Sequence, residues 1–372
     1  MPAPTPDPLP LLRLVLAGGA VAPRRALLGR QPPAPDPALR ARLDGVPGET
    51  LDRALAWLGR PGHHLVGLED PRFPPLLRQS PHPPLALFVD GDPDALWRPA
   101  VAVVGSRGAT TGGRDNARLF SSALCRAGIA VASGLAAGID AAAHQAALDT
   151  ASGITVAVLG TGTDVAYPRQ HARLREQVAA TGAVVSEHPP GAPPRAAHFP
   201  GRNRIIAGLS LGTVVVEAAL RSGALITARL AGEAGREVFA IPGSIHNPQT
   251  RGCHRLIRDG AQLVEHPNEV LAGIAPLAGR LAISLEGDTA ASAGCSTAPR
   301  QPRTGAANGH ADHDRLWRAL GHDPIPMDVL ADRTGLTPAI LSSMLLGMEL
   351  DGRVAVEHGR YARRSTGGGA AD

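Results

Sequence analysis

The stretch HFPGRNRIIAGLS, residues 198 to 210, sets two guanidinium groups beside an aromatic ring. Phe199, Pro200 and Gly201 are expected to make a stiff turn, Arg202 and Arg204 follow, and the apolar run from Ile205 onward is expected to be helical. Between Ala192 and Arg204 there are three arginines (Arg195, Arg202 and Arg204), one histidine and no acid, so the reading leaves these cations without a carboxylate partner. Guanidinium forks bind phosphate oxygens in pairs. An aromatic ring among such cations stacks a base, and the combination is the one used for single-stranded nucleic acid. All 37 basic residues of the chain are arginine, so any phosphate chemistry falls to these forks and to backbone amides.

Two further arginines occupy comparable positions. VAVVGSRGATTGG puts Ser106 and Arg107 at a strand-to-helix turn, where free backbone N–H groups make an anion site. LGTGTDVAYPRQH puts Arg169 at a helix start. In SGLAAGIDAAAHQAAL, Gly134 and Gly138 permit close approach to the backbone, and Asp140 suits the first turn of the following helix. A dinucleotide site would want GxGxxG after the first strand and an acid at the end of the second. The chain has Gly105-Ser106-Arg107-Gly108 and Ser133-Gly134 instead, so no nicotinamide or flavin cofactor is expected. His144 has no second histidine or cysteine at ligand spacing, and no metal is expected either. Glu217, at the end of TVVVEA, is read as a carboxylate that orients the arginines, because no nucleophile–histidine pair accompanies it.

Positioning these residues takes a sheet. Six β-branched runs, VAVVG, IAVASG, ITVAVLG, AVVSE, TVVVEA and EVFAIPG, alternate with helical stretches between residues 101 and 243. Apolar strands alternating with helices predict an α/β, Rossmann-like parallel sheet covered on both faces, with ligands at the C-terminal strand ends. Ahead of it lies a small helical domain, residues 1–60. A His- and Pro-rich bridge follows, with short strands near LVGL and LALFV, and counts with the core, residues 61–280. Residues 281–310 are small and polar and read as a flexible linker. Residues 311–366 carry three helix patterns and a two-strand turn, the order of a winged helix. Its last helix has no basic residue before Arg353, a poor basis for reading a groove.

The chain has 372 residues, is 44% hydrophobic and carries a net charge of +4, which fits a folded protein with a polyanion partner. Three scattered cysteines without metal spacing point to a reducing compartment. The proline-rich N-terminus lacks a basic leader and LLRLVLAGG is too short to span a bilayer, so a cytoplasmic protein without membrane contact is expected.

In order, VAVVGSR, SGLAAGIDAAAH, LGTGTDVAYP, SEHPPG, FPGRNRIIAGLS, VVVEAALRSGALITA, EVFAIPGS and GCHRLIRDGA resemble the DNA-processing protein A (DprA/Smf) family over about residues 62 to 270. The resemblance implies a non-enzymatic protein that binds and protects single-stranded DNA and loads RecA recombinase on it, in natural transformation and homologous recombination. It implies strand-binding roles for Arg107, for Arg169, and for Phe199, Arg202, Asn203 and Arg204. Some members carry a lysine shortly before the Phe, where this chain has Ala196 and Ala197, and Arg195 is the residue expected to substitute for it. It also implies a homodimer formed through the helix holding His254, Leu256 and Ile257. The alternative is a nucleotide N-glycoside hydrolase of the lonely-guy type, which shares the core and the strand from Gly212-Thr213 to Glu217, although GLSLGT replaces its PGGxGT turn.

Overall fold

The computed structural model describes residues 7–29, 32–286, 309–321, 323–350, 353–357 and 360–363. The β-branched runs become strands of one sheet: β3 (Ala100–Val104), β4 (Ala130–Ser133), β5 (Thr155–Val158), β6 (Ala183–Ser186), β7 (Gly212–Val215) and β8 (Glu237–Ala240). They are parallel, in the spatial order β6-β5-β4-β3-β7-β8. The five strands from β3 to β7 are buried throughout, as expected where helices cover both faces. On one face α6 (Thr111–Arg126), α7 (Ile139–Asp149) and α12 (Pro267–Glu286) bury Phe120, Leu124, Ile139 and Ile274 against Val101, Val103, Val131 and Val214. On the other, α9 (His198–Leu209) and α10 (Ala224–Glu233) bury Ile205, Ile206, Leu209 and Ala228 against Ala102, Val104, Val158 and Val215.

The sheet is larger than the six runs predict. The bridge contributes β1 (His63–Gly67) and β2 (Ala86–Gly91), which pair antiparallel with each other, and β2 pairs antiparallel with β6. At the opposite edge a two-residue strand, β9 (Gln262–Leu263), lies parallel to β8 and makes nine. Of the N-terminal helices α1 (Leu9–Ala17), α2 (Val21–Ala26), α3 (Pro37–Asp44) and α4 (Gly48–Leu58), α4 packs on β1, and α1 packs on α3 and α4. Helix α5 (Pro75–Arg78) lies in the bridge, and α8 (Ala172–Thr181) precedes β6. Leu12, Ala54 and Trp57 share a core with Phe88, and the Trp57 ring stacks on His63 at 4.0 Å between centroids.

Helix α12 runs through Glu286, past the expected domain boundary at 280; residues 287–308, most of the expected linker, lie outside the described residues. Beyond them α13 (Gly309–Ala319), α14 (Met327–Thr334) and α15 (Pro338–Leu350) pack around Leu316, Leu330, Leu341 and Leu345. Three short strands close the unit: β10 (Ile325–Pro326), β11 (Val354–Glu357) and β12 (Arg360–Arg363). It touches α6 through Arg333, whose Nη2 lies 2.5 Å from Asp115 Oδ2, and through Thr111, whose hydroxyl donates to the Arg318 carbonyl. Among the described residues no helix is long and apolar enough to cross a membrane.

Candidate nucleic-acid interface

Strand succession runs outward from β3 to β6 in one direction and from β7 to β9 in the other, so the order reverses between β3 and β7. In open α/β sheets the loops leaving such neighbours diverge and open a crevice. Here the crevice is a pocket of about 810 Å³. Ser106, Arg107 and Gly108, after β3, form one wall, and Ala219, Arg221 and Ser222, after β7, form another. Tyr167, Pro194, Ala196 and Phe199 complete the mouth.

Arg107 is exposed, and its guanidinium carbon lies 5.7 Å from the centre of the Phe199 ring. Tyr167 sits on the same ring, 5.1 Å between centroids and tilted by 39°. A cation above an aromatic pair offers a fork for a phosphate and a surface for a base. Arg169, Arg195 and Arg221 are also exposed, and among the described residues none of them, nor Arg107, has an acid within ion-pair distance. Ser106 is nearly buried; its hydroxyl accepts from the Gly108 amide at 3.2 Å.

Sequence reasoning placed Arg202 and Arg204 at the mouth without partners, and both expectations need correction. Helix α9 starts at His198 rather than near Ile205, so Phe199, Pro200 and Gly201 form its first turn, where proline is tolerated. Arg202 then lies on the inward stripe with Ile205, Ile206 and Leu209, spaced i, i+3, i+4, i+7. Only 6% exposed, it forms part of the pocket floor. Its Nη1 donates to the carbonyls of Gly134 and Val158, and its Nε donates to Asn203 Oδ1 at 3.0 Å. The guanidinium thereby ties the end of β4 to the end of β5. Burial pulls its pKa down, the Asp140 carboxylate holds it up, and Arg107 lowers it again.

Arg204 does have an acid: its Nη2 pairs with Glu187, and its Nη1 donates to the His82 carbonyl at 2.8 Å. Gly134 is fully occupied as well. Its amide donates to Asp140 at 3.1 Å, its carbonyl accepts from Arg202, and a Cβ there would stand about 2 Å from that guanidinium. Asn203 faces the floor, its amide 3.4 Å from the Gly223 carbonyl. Asp140, buried in the first turn of α7, accepts from the amides of Gly134 and Ala136. Burial raises its pKa, against the pull of Arg202 and those hydrogen bonds.

Glu217 orients no arginine. Only 4% exposed, it accepts from the Thr110 amide at 2.9 Å, the Thr110 hydroxyl at 2.6 Å and Asn247 Nδ2 at 3.3 Å. A carboxylate thus stands at the start of α6, where an acid suits the helix dipole. Arg221 was missed by the sequence reading. Its signal was its place in the loop that leaves β7, as Arg107 lies in the loop that leaves β3.

In α11 (Arg251–Arg258), Leu256 and Ile257 pack partly into the chain's own core, and His254 Nε2 lies 3.0 Å from the Gly243 carbonyl. Leu263 and Ile245 are the large apolar side chains left exposed near by in sequence. Among the described residues no three His, Cys, Asp or Glu side chains are placed to hold a metal ion.

A doubly wound sheet with its crevice at the reversal point, followed by a winged helix, defines a Rossmann-like protein with an appended winged-helix unit. Residues 64–275 match the family model for DNA recombination-mediator protein A, and residues 298–360 match the DprA winged helix domain. The chain belongs to the DNA-processing protein A (DprA/Smf) family. It is 42% identical to Protein Smf of Escherichia coli (strain K12) over 323 residues, covering 87% of this chain and 83% of that one. It is 49% identical over 189 residues to the DNA processing protein DprA of Streptococcus pneumoniae (strain ATCC BAA-255 / R6), 51% of this chain and 66% of the relative. The X-ray structure of DprA from Streptococcus pneumoniae superposes with a TM-score of 0.64 at 36% identity, over 72% of this chain and 97% of that one. The DNA processing protein A of Helicobacter pylori, solved for structural insights into its unique single-stranded DNA binding mode, gives a TM-score of 0.51 at 26% identity, over 58% of this chain and 97% of that one.

Proposed function

We propose that this protein is a non-catalytic mediator that holds single-stranded DNA at the crevice between β3 and β7. The observation that carries the reading is Arg107 poised over Phe199 beside Tyr167, with Arg169, Arg195 and Arg221 exposed and unpaired around the same mouth. Arg107 and Arg221 take phosphates and Phe199 stacks a base. Ser106, whose amide donates to the Glu217 carbonyl at 2.7 Å and whose hydroxyl accepts from the Gly108 amide, offers no free amide and instead holds the turn that carries Arg107. Arg202, Asn203 and Gly134 act from beneath by fixing the floor, and Arg204 steadies α9 through Glu187. The family supports the further steps: protection of the strand in the cytoplasm, loading of RecA on it in natural transformation and recombination, and work as a homodimer through the region of α11. The same support extends to the division into helical, core, linker and winged-helix parts.

The hydrolase alternative needs a free carboxylate at Glu217, and that group is engaged by Thr110 and Asn247. The winged helix, whose α15 carries no basic residue, suits a protein contact better than a groove.

Fluorescence anisotropy of a labelled single strand of about 20 nucleotides, titrated over a salt series, tests the reading. Wild type should prefer single strands to duplex, with log K falling by roughly 0.7 per phosphate held. Arg107→Ala and Arg221→Ala should each weaken binding and flatten the slope. Equal affinity for duplex, or indifference to both substitutions, would remove the crevice as the binding site.

A further inference from the structure

We propose that the N-terminal helices carry the outer end of the strand path, through Arg53 on α4. The proposal rests on the crevice being the single-strand site and extends that site across a second part of the chain.

Placement is the argument. One turn after Arg53, Trp57 is buried, stacked on His63 and set edge-on to Phe88, so α4 is fixed to the sheet and Arg53 with it. Arg53 itself is exposed. Its guanidinium lies over the turn at Gly191, whose φ of +81° suits glycine; a Cβ there would stand 2.9 Å from Arg53 Nη1 and 3.2 Å from its Cδ. The turn is tied down on its other side. The Gly191 amide donates to Asp164 Oδ1 at 2.8 Å, the Ala192 amide to the Pro189 carbonyl at 3.1 Å, and the Gly162 amide to the Ala192 carbonyl at 3.0 Å.

The same loop leads straight to the crevice. Pro194 and Ala196 line the mouth, and Arg195 between them is exposed. From Gly191 to Arg195 is at most about 14 Å of chain. Arg53 and Arg195 thus mark two points on one rigid loop, outside a pocket whose third point is Arg107. Glu49 and Asp52 share α4 with Arg53, and Asp164 lies under the turn, yet none comes within ion-pair distance of it. An exposed arginine with no acid at ion-pair distance among the described residues, over a stiff turn that continues a basic rim, fits the backbone of a strand leaving the pocket.

The test separates this claim from the one beneath it. Oligothymidylates of about 5 and about 25 nucleotides, the first near the lower end and the second beyond the upper end of the roughly 4–16 nucleotides that an OB fold covers, are titrated into the full-length wild type, Arg53→Ala, Arg53→Lys and Arg107→Ala. Arg53→Ala should bind the long strand about fivefold more weakly, with a salt slope smaller by about 0.7. It should hold the short one as the wild type does, and Arg53→Lys should keep the slope. An Arg53→Ala variant indistinguishable from wild type on both lengths overturns the proposal, as does an equal loss on both. If Arg107→Ala instead leaves the short oligonucleotide unaffected, the crevice reading fails first. Arg53 is exposed, so an unchanged melting temperature confirms that the variant is folded.

Discussion

Arg107 and Phe199 meet face-on across the crevice, the guanidinium carbon 5.7 Å from the ring centre, although 92 positions separate them in the chain. The pair sets two substitutions apart. Phe199→Ala should cost one base's stacking, about 1–3 kcal/mol of single-strand affinity, with the salt slope unchanged because no charge is lost. Arg107→Lys should retain the slope but lose affinity, since an ammonium has no planar fork and stacks less well. Anisotropy titrations at two salt concentrations distinguish them; a slope change in Phe199→Ala would contradict the assigned roles.

Arg202 behaves as part of the frame. Arg202→Ala leaves the carbonyls of Gly134 and Val158 and the carboxylate of Asp140 without their buried cation, and should destabilise the fold by roughly 2–4 kcal/mol. Arg107→Ala, at an exposed site, should leave the denaturation midpoint unchanged. Urea titration followed by circular dichroism would decide, and a wild-type midpoint for Arg202→Ala would show that the strut is dispensable.

Glu217→Gln turns an acceptor into a donor opposite the Thr110 amide or hydroxyl. We expect a loss of about 1–2 kcal/mol in stability, with single-strand affinity retained within about twofold. If binding collapses in a variant that melts like the wild type, Glu217 has a direct role at the strand after all.

Acid should loosen the core through two histidines. The Thr155 hydroxyl donates to the Val131 carbonyl, so its oxygen accepts from His144 Nδ1 at 2.7 Å, and the buried Nε2 is left bare. Burial, with the charges of Arg202 and His171, pushes His144 down to about 3. Burial, then His198, Arg204 and Arg195, pushes His188 down to about 4. Both folded values lie below the unfolded one, so the unfolded chain takes up protons first. The stability these groups contribute is complete above about pH 6.5 and is lost as the pH falls toward 4. Denaturation midpoints between pH 7.5 and 4.5 should fall, and His144→Gln should flatten part of that dependence. A midpoint that does not move over the range would show that neither histidine is held neutral.

The sheet was legible because β-branched runs bounded by glycine leave few other options. β9 was not: two residues, Gln262 and Leu263, carry no period, and only pairing with β8 makes them a strand. The direction of each guanidinium was the harder matter. Strand-end placement located Arg107 and Arg202 alike, but only the helical phase of α9 distinguishes them. Arg202 falls in register with Ile205, Ile206 and Leu209, a pattern visible in the sequence once the helix is allowed to begin before Pro200. Partners from distant segments, such as Glu187 for Arg204 and Thr110 for Glu217, are products of the fold and leave no local trace.

The two walls of the crevice rise from adjacent strands. β3 and β7 are joined by a main-chain ladder, with Val101 opposite Gly212 and Val104 opposite Val215, and such neighbours stand about 4.8 Å apart. The opening is therefore a calliper whose jaws share a hinge that does not turn. On the proposed reading, side chains on the rim would set how firmly a strand is gripped, while the sheet would set the gap that admits one backbone in preference to a duplex. Rim substitutions should weaken single-strand binding and leave residual duplex binding, which does not use the crevice, near its original value.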